Sequence, residues 1–358
     1  MPLKPNVLEE YAKERAILPV PPKDSYVSDK DCVFLEDETG RTKLRGIAFQ
    51  AKDLITGMIV AVKGRGVEDG DFEVHEIIEP GIAPQRPLKN TKTGNQIALV
   101  SGLHIGQTSS NPLPVQLLAE YITGNVGSPL EHQFQSTIVR LILAGNSLFT
   151  ENEERINDQS LRFNKKQQSH VTQHVHALDR YLLSLCSSLQ VDIMPGASDP
   201  ANITLPQQPL NRCLFRKASS LPTLHRVTNP HAFEVEGVSF LGHSGQMLDN
   251  MEKYMDVESR MDLICKMLKW RQLAPNCPDL LYGFPNSSDP FILNEAPHVI
   301  FFGNQPAFET KLIEGPEGQE IRVVLLPTFS QNPTFALINI DNLDCTPVSF
   351  QLYDEHTN

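Results

Sequence analysis

Apolar and polar positions change rhythm partway along this chain. A short helical pattern from Val7 to Ala16 ends in a proline cluster at Pro19, Pro21 and Pro22. From Asp31 to Ile77 the residues take the two-residue alternation of half-buried strands. Four strands are predicted, at Cys32–Glu36, Lys43–Ile47, Met58–Val62 and Phe72–Ile77. Glu38-Thr39-Gly40 and Glu68-Asp69-Gly70-Asp71 supply turn chemistry between them, the Asp-Gly pair being a hairpin signal. Four short strands joined this tightly predict a small barrel, one strand short of a five-stranded OB-fold.

A Pro- and Lys-rich linker from Pro80 to Thr93 follows, and the period then alternates between strand and helix. Short apolar runs at Ile97–Val100, Ile142–Ala144, Val191–Met194, Val238–Leu241 and Val299–Phe302 each stop at small or polar residues. Buried strands that end in this way predict an α/β domain with its working face at the strand ends. Val171, Val175, Leu178, Leu182, Leu185 and Leu189 form one core-facing helical stripe, and Met261, Ile264 and Leu268 another. Between Glu151 and His170 the chain is polar and reads as an exposed segment. Strands at Ile321–Leu326, Ala336–Ile340 and Val348–Leu352 close the domain. The expected division is an all-β domain with its linker over residues 1–93 and a mixed domain over 94–358.

Composition narrows the chemistry. The 358 residues are 40 % hydrophobic and 21 % charged, an ordinary globular mixture. A net charge of −12 opposes independent binding of phosphate backbones, although a local basic surface can survive it. Cys32, Cys186, Cys213, Cys265, Cys277 and Cys345 include no C-x-x-C pair, which argues against zinc knuckles, iron–sulfur sites and a disulfide framework. The start, Met1-Pro2-Leu3-Lys4-Pro5, lacks a secretory apolar run, and no stretch approaches the roughly twenty apolar residues of a membrane span. The expectation is a soluble intracellular protein with no cofactor, no bound metal and no membrane partner.

Among local motifs, His170 and His174 share one helix face and His176 lies close by, but no carboxylate sits between them as in H-E-x-x-H. A solvated helix face is the expectation, with a ligand set as the alternative. Gly242-His243-Ser244-Gly245-Gln246 lacks the last glycine of a nucleophile elbow. Strand ends carry more chemistry: Ser101-Gly102-Leu103-His104, Gly145-Asn146-Ser147, Gly196-Ala197-Ser198-Asp199, Gly242-His243-Ser244 and Gly303-Asn304-Gln305-Pro306. Enzymes that cleave phosphoesters with two metals place Asp, Asn and His at such positions.

At these residues the chain resembles the calcineurin-like phosphoesterase superfamily and, within it, the B-subunits of replicative DNA polymerases, the delta small subunits in particular. Leu99–Leu103, Leu143–Asn146, Asp192–Gly196 with Asp199-Pro200, Thr204–Leu210, Phe240-Leu241-Gly242 with Ser244-Gly245-Gln246, Asp289–Ile292 and Pro297-His298-Val299 with Gly303-Asn304 carry the likeness, in the family's order. The resemblance implies an α/β (α+β) phosphoesterase-like two-layered β-sandwich flanked by helices, preceded by the OB-fold. It also implies that the chain begins after the family's first barrel strand, which would leave an exposed strand edge.

Residue by residue, the resemblance implies a degenerate metal site. Gly102 stands where active relatives carry the aspartate of Asp-x-His, while His104 keeps the histidine. Asn146 replaces an aspartate, and Ala197-Ser198-Asp199 has lost the bridging amide and the catalytic histidine. His243 matches a later ligand histidine, and Gly303-Asn304-Gln305-Pro306 has lost both closing imidazoles. Gly102, His104, Asn146, Asp199, His243 and Asn304 therefore outline an expected vestigial pocket, with no catalytic residue and no metal. The implied function is a non-catalytic accessory subunit of the nuclear DNA polymerase delta complex. Its implied partners are the C-terminal metal-binding module of the catalytic subunit and a third subunit that binds the sliding clamp, with DNA reached only indirectly. Two alternatives stay open: a residual metal-dependent phosphodiesterase or nuclease, with His104 and His243 as a weak single-metal pair, and nucleic-acid binding through the barrel's Phe34, Phe49 and Phe72.

Overall fold

The computed structural model describes residues 24–89, 92–108, 111–149 and 165–351. In chain order, its strands are β1 (Phe34–Glu36), β2 (Arg41–Arg45), β3 (Ala61–Gly66), β4 (Phe72–Ile78), β5 (Gln96–Val100), β6 (Ile138–Ala144), β7 (Gln190–Met194), β8 (Leu224–Arg226), β9 (His231–Val235), β10 (Val238–His243), β11 (Val299–Gln305), β12 (Glu309–Glu314), β13 (Glu320–Pro327), β14 (Thr334–Asn339) and β15 (Cys345–Ser349). The helices are α1 (Leu113–Ile122), α2 (Pro129–Gln135), α3 (Lys165–Cys186), α4 (Gln246–Met251) and α5 (Arg260–Trp270). They fall into two compact units. One takes the chain to Arg86 with Met247–Ala296 and Gly315–Gln319; the other takes Pro87–Gln246, Pro297–Glu314 and the chain from Glu320 onward.

The first unit contains a four-stranded sheet in the order β1-β2-β4-β3. β2 and β4 run parallel, while β1 and β3 lie antiparallel to their neighbours. Among the described residues β1 and β3 each have one strand partner, so the sheet has two open edges. Leu44 and Val74 are its buried strand side chains, joined by Ile55 from the β2–β3 connection, whereas Phe34, Leu35 and Ile78 stay exposed. An open cavity of about 710 Å³ lies against this face, lined by Val33, Leu44, Ile55, Val60, Ile77 and Tyr254. α5 buries Met261, Leu263, Ile264, Met267, Leu268 and Trp270 in the same unit. Ser259 caps its start by accepting from the Asp262 amide (3.1 Å), and Arg271 stops it in the left-handed region.

β3 starts three residues later than the apolar run Met58–Val62 predicts. The reason is local. The Ile55 amide meets the Met58 sulfur (3.3 Å), and the Ile59 amide donates to the Gln272 side chain (3.1 Å), so this backbone is occupied before pairing begins. The strand then continues through Lys63 and Arg65, which pair with Glu76 (3.6 Å) and Glu73 (2.6 Å) of β4. The pattern of Val7–Ala16 lies outside the described residues.

The second unit is a two-sheet sandwich. A six-stranded sheet in the order β15-β14-β5-β6-β7-β8 faces a five-stranded sheet in the order β12-β13-β11-β10-β9. Ile97, Leu99, Ile142 and Met194 from the first meet Val238, Phe240, Val299 and Phe301 from the second. α1 and α3 cover the other face of the six-stranded sheet through Leu118, Ile122, Leu178, Leu182 and Leu185. Full burial of each such side chain contributes about 1.5–3 kcal/mol. This matches the expected sandwich flanked by helices. β15 ends at Ser349, and the next residue, Phe350, donates to the Pro333 carbonyl (3.0 Å), stacks on Phe335 and meets Phe329 edge-on; Leu352 of the predicted strand lies outside the described residues.

Polar side chains tie the layers together. Asp192 is fully buried and accepts from Arg140 Nη2 (2.9 Å), with His225 Nδ1 at 3.0 Å and His231 Nε2 at 3.1 Å. Burial pushes its carboxyl up, yet His231 and Arg140 together hold it below the ordinary value. Within the histidine motif on α3, His174 departs from the solvated-face expectation and His176 meets it. His174 is half-buried, its ring fills the space a side chain at Gly106 would need, and its Nδ1 is buried without a hydrogen-bond partner. His176 is exposed, and the His170 side chain lies outside the described residues.

Candidate functional site at the strand ends

β5, β6 and β7 give way to Ser101-Gly102, Gly145-Asn146 and Pro195-Gly196, and these ends converge with Gly303-Asn304, which lie at an irregularity within β11 rather than beyond its end. Gly102, just after β5, has φ +67°, and its amide donates to the Gly145 carbonyl (3.0 Å). A Cβ there would stand 2.7 Å from Asn304 Oδ1 and 2.7 Å from the Thr328 methyl, so neither the backbone angle nor the space admits a longer residue. After β7, a Cβ on Gly196 would meet Asn146 Oδ1 at 2.3 Å and its amide nitrogen at 2.4 Å. Backbone approach of this kind closes the strand ends on one another.

Asp199 sits at the centre of this closure, 6 % exposed. Its carboxylate accepts from the amides of Leu148 (2.9 Å), Gly196 (2.9 Å) and Ser147 (3.3 Å). Burial pushes the group up to about 6, against the lowering effect of those amides. Asn146, at φ 55°, accepts from the Ser198 amide through Oδ1 (3.0 Å). Asn304, at φ 58°, donates through Nδ2 to the Ser244 carbonyl (2.8 Å), while its amide donates to Ser101 Oγ (2.9 Å). Asn304 Oδ1 is buried with no hydrogen-bond partner.

The two histidines take different surroundings. His104 turns its Nδ1 to Ser330 Oγ (3.0 Å) and meets Phe149 edge-on, and partial burial lowers its pKa. His243 is 2 % exposed; its Nδ1 accepts from the Gly245 amide (2.9 Å), and its Nε2 is buried without a partner. Burial drives its pKa down to about 3, which keeps the imidazole neutral.

Beside these residues lies a polar network that spacing along the chain does not announce. Asn229 Nδ2 donates to Ser244 Oγ (2.6 Å), Gln207 Oε1 (2.8 Å) and Gln246 Oε1 (3.1 Å), and the Ser244 amide donates back to Asn229 Oδ1 (3.1 Å). Gln207 reaches the Gly196 carbonyl (3.2 Å) through Nε2. Gln207 lies within the Thr204–Leu210 run, which is the one available signal; Asn229 has none.

Two-metal phosphoester chemistry needs several anionic and imidazole donors pointing at a common centre. These residues do not fit such a centre. The Asp199 oxygens are engaged by backbone amides, Asn146 Oδ1 by the Ser198 amide, and position 102 has no room for a carboxylate. Among the described residues, no three His, Cys, Asp or Glu side chains come together as a metal site.

Comparison with known proteins gives a consistent result. Residues 97–310 match the family model for the B-subunit of DNA polymerases alpha and epsilon, and residues 1–77 match the one for the OB-fold domain of the DNA polymerase delta subunit. The DNA polymerase delta small subunit of Arabidopsis thaliana is 41 % identical over 98 % of this chain and 79 % of its own length. Its counterpart in Oryza sativa subsp. japonica is 40 % identical over 98 % of this chain and 81 % of its own. That of Saccharomyces cerevisiae is 32 % identical over 98 % and 77 %. On these matches, the chain belongs to the family of DNA polymerase delta small subunits.

Proposed function

We propose that this protein is a non-catalytic scaffold within the DNA polymerase delta complex. It would join the C-terminal metal-binding module of the catalytic subunit to a further subunit that binds the sliding clamp, and it would work in the nucleus. The observation that carries the non-catalytic part is Asp199, whose carboxylate is spent on three backbone amides rather than left open toward a ligand. In this reading Gly102, His104, Asn146, Asp199, His243 and Asn304 are the remains of a phosphoesterase pocket, and residues 94–358 descend from that fold. Residues 1–93 then form the OB-fold domain with its linker. What was a metal cradle serves as a hydrogen-bonded clasp that fixes the strand ends.

The test is a manganese-dependent phosphodiesterase assay on the purified chain beside its His104→Ala variant. The proposal expects no hydrolysis above a metal-only blank from either protein. Turnover in the parent that disappears in the variant would establish residual catalysis and reject the scaffold reading of this site.

A further inference from the structure

From Pro200 to Phe233 the chain has no Asp or Glu, yet it carries Arg212, Arg216, Lys217 and Arg226, against a net charge of −12 for the whole. The fold gathers most of this charge. Short 3-10 turns at Arg212–Leu214 and Ala218–Ser220 pack against α3. Buried Asp179 of α3 accepts from the amides of Lys217 (3.1 Å) and Ala218 (2.9 Å), which ties Lys217 to the helix residue that precedes Arg180 in sequence. Arg212 Nη2 lies 3.5 Å from the Ser219 carbonyl, closing the group from the other side. Arg180, Arg212, Arg216 and Lys217 are all exposed, and among the described residues none of their side-chain nitrogens has a carboxylate within 4.0 Å, although the Asp179 carboxylate meets the Lys217 backbone amide.

Elsewhere the chain neutralises such charges. On the four-stranded sheet Arg45, Lys63 and Arg65 are paired with Asp71, Glu76 and Glu73. Buried Asp179 offsets part of the charge of Arg180, Arg212, Arg216 and Lys217, and the remaining excess of like charge on these four exposed side chains is relieved by an anion. Three of the four are arginines, whose planar forks match phosphate and carboxylate oxygens alike. The surroundings separate these two ligands. Of the exposed large hydrophobic side chains, only Ile203 falls between Asp199 and Phe233, so the apolar centre of a protein interface is missing. No exposed aromatic side chain lies in that span either, which removes base stacking.

We propose that Arg180, Arg212, Arg216 and Lys217 form a contact surface for the sugar–phosphate backbone of duplex DNA, read without regard to sequence. This goes beyond the scaffold reading, which reaches DNA only through partners, and does not depend on it. Four phosphate contacts give a log–log salt slope of about −3.6.

The experiment is a fluorescence-anisotropy titration of the full chain with a short labelled duplex, from ~25 to ~100 mM KCl. Arg216→Glu/Lys217→Glu is compared with Lys63→Glu/Arg65→Glu on the paired sheet. Arg216→Gln/Lys217→Gln serves as a milder version, and thermal melts confirm that each variant folds. The proposal expects the first pair to weaken binding about tenfold or more at low salt and to make the slope shallower by about 1.8, with the sheet variant within about twofold of the parent. No duplex binding by the parent at the lowest salt overturns it, as does parent-like binding by both variants at 216 and 217. Polyglutamate binding that is lost in those variants while duplex binding persists would reassign the surface to an acidic protein segment and reject DNA.

Discussion

The sandwich and the four-stranded sheet bury apolar side chains to very different degrees. In the sandwich, Leu99, Ile142, Val299 and Phe301 are sealed between two sheets, and α1 and α3 close the outer face. In the smaller sheet only Leu44 and Val74 of the strand residues are buried, and Phe34, Leu35 and Ile77 border an open cavity. One region is finished by its own sequence. The other gains stability from any segment that covers it, as expected where an apolar face and open sheet edges coincide.

Substitutions sharpen that contrast in order of expected size. Phe301→Ala, in the inter-sheet core, should cost about 4 kcal/mol in urea-unfolding stability, through lost burial and the cavity left behind. Arg140→Met should cost about 3 kcal/mol by the same measurement, because it strips the buried Asp192 carboxylate of its guanidinium. Leu44→Ala should cost about 2 kcal/mol or less, since the sheet around it is already partly open. A loss at Leu44 equal to that at Phe301 would break the comparison.

The next effect depends on pH. His243 is depressed from 6.5 to about 3, so its neutral form favours the fold. The stability it permits is full above pH 6.5 and declines as pH falls toward 3. Asp199 is raised from 3.8 to about 6, so its contribution is full below 3.8 and declines as pH rises through 6. Between these limits the two slopes oppose each other. His243→Gln should therefore lose less stability than the parent on acidification from about pH 6.5 to about 4.5, the gap widening by up to about 1.4 kcal/mol per pH unit. Parallel stability curves would show that the imidazole is not held neutral. Smallest of all, Lys63→Gln should change stability by under about 0.5 kcal/mol, since its pairing with Glu76 is at the surface.

How far the sequence can be read follows from where each element lies. β5 and β11 carry the continuous apolar runs Ile97–Val100 and Val299–Phe302 and are legible as such, whereas buried Asp192 interrupts the run in β7. β9 and β12 sit at sheet edges with mixed side chains, so their period gives no clear signal. The third barrel strand is displaced because hydrophobic Met58 and Ile59 spend their backbone and side-chain contacts on a turn, while charged Lys63 and Arg65 form the strand. At the site, spacing alone can mark Gly102, Asn146 and Asp199 as residues beyond strand ends, whereas Asn304, expected there too, lies within β11. It cannot show that Asp199 faces backbone amides, or that Asn229 joins Gln207, Ser244 and Gln246. Those contacts are set by tertiary closure.

Affinity purification of the tagged chain from its own cells, with quantitative mass spectrometry of what it retains, tests the central claim most directly. A scaffold of the polymerase delta complex should bring down a large polymerase subunit in near-equal amount. Recovery of the chain without any polymerase subunit would contradict the account.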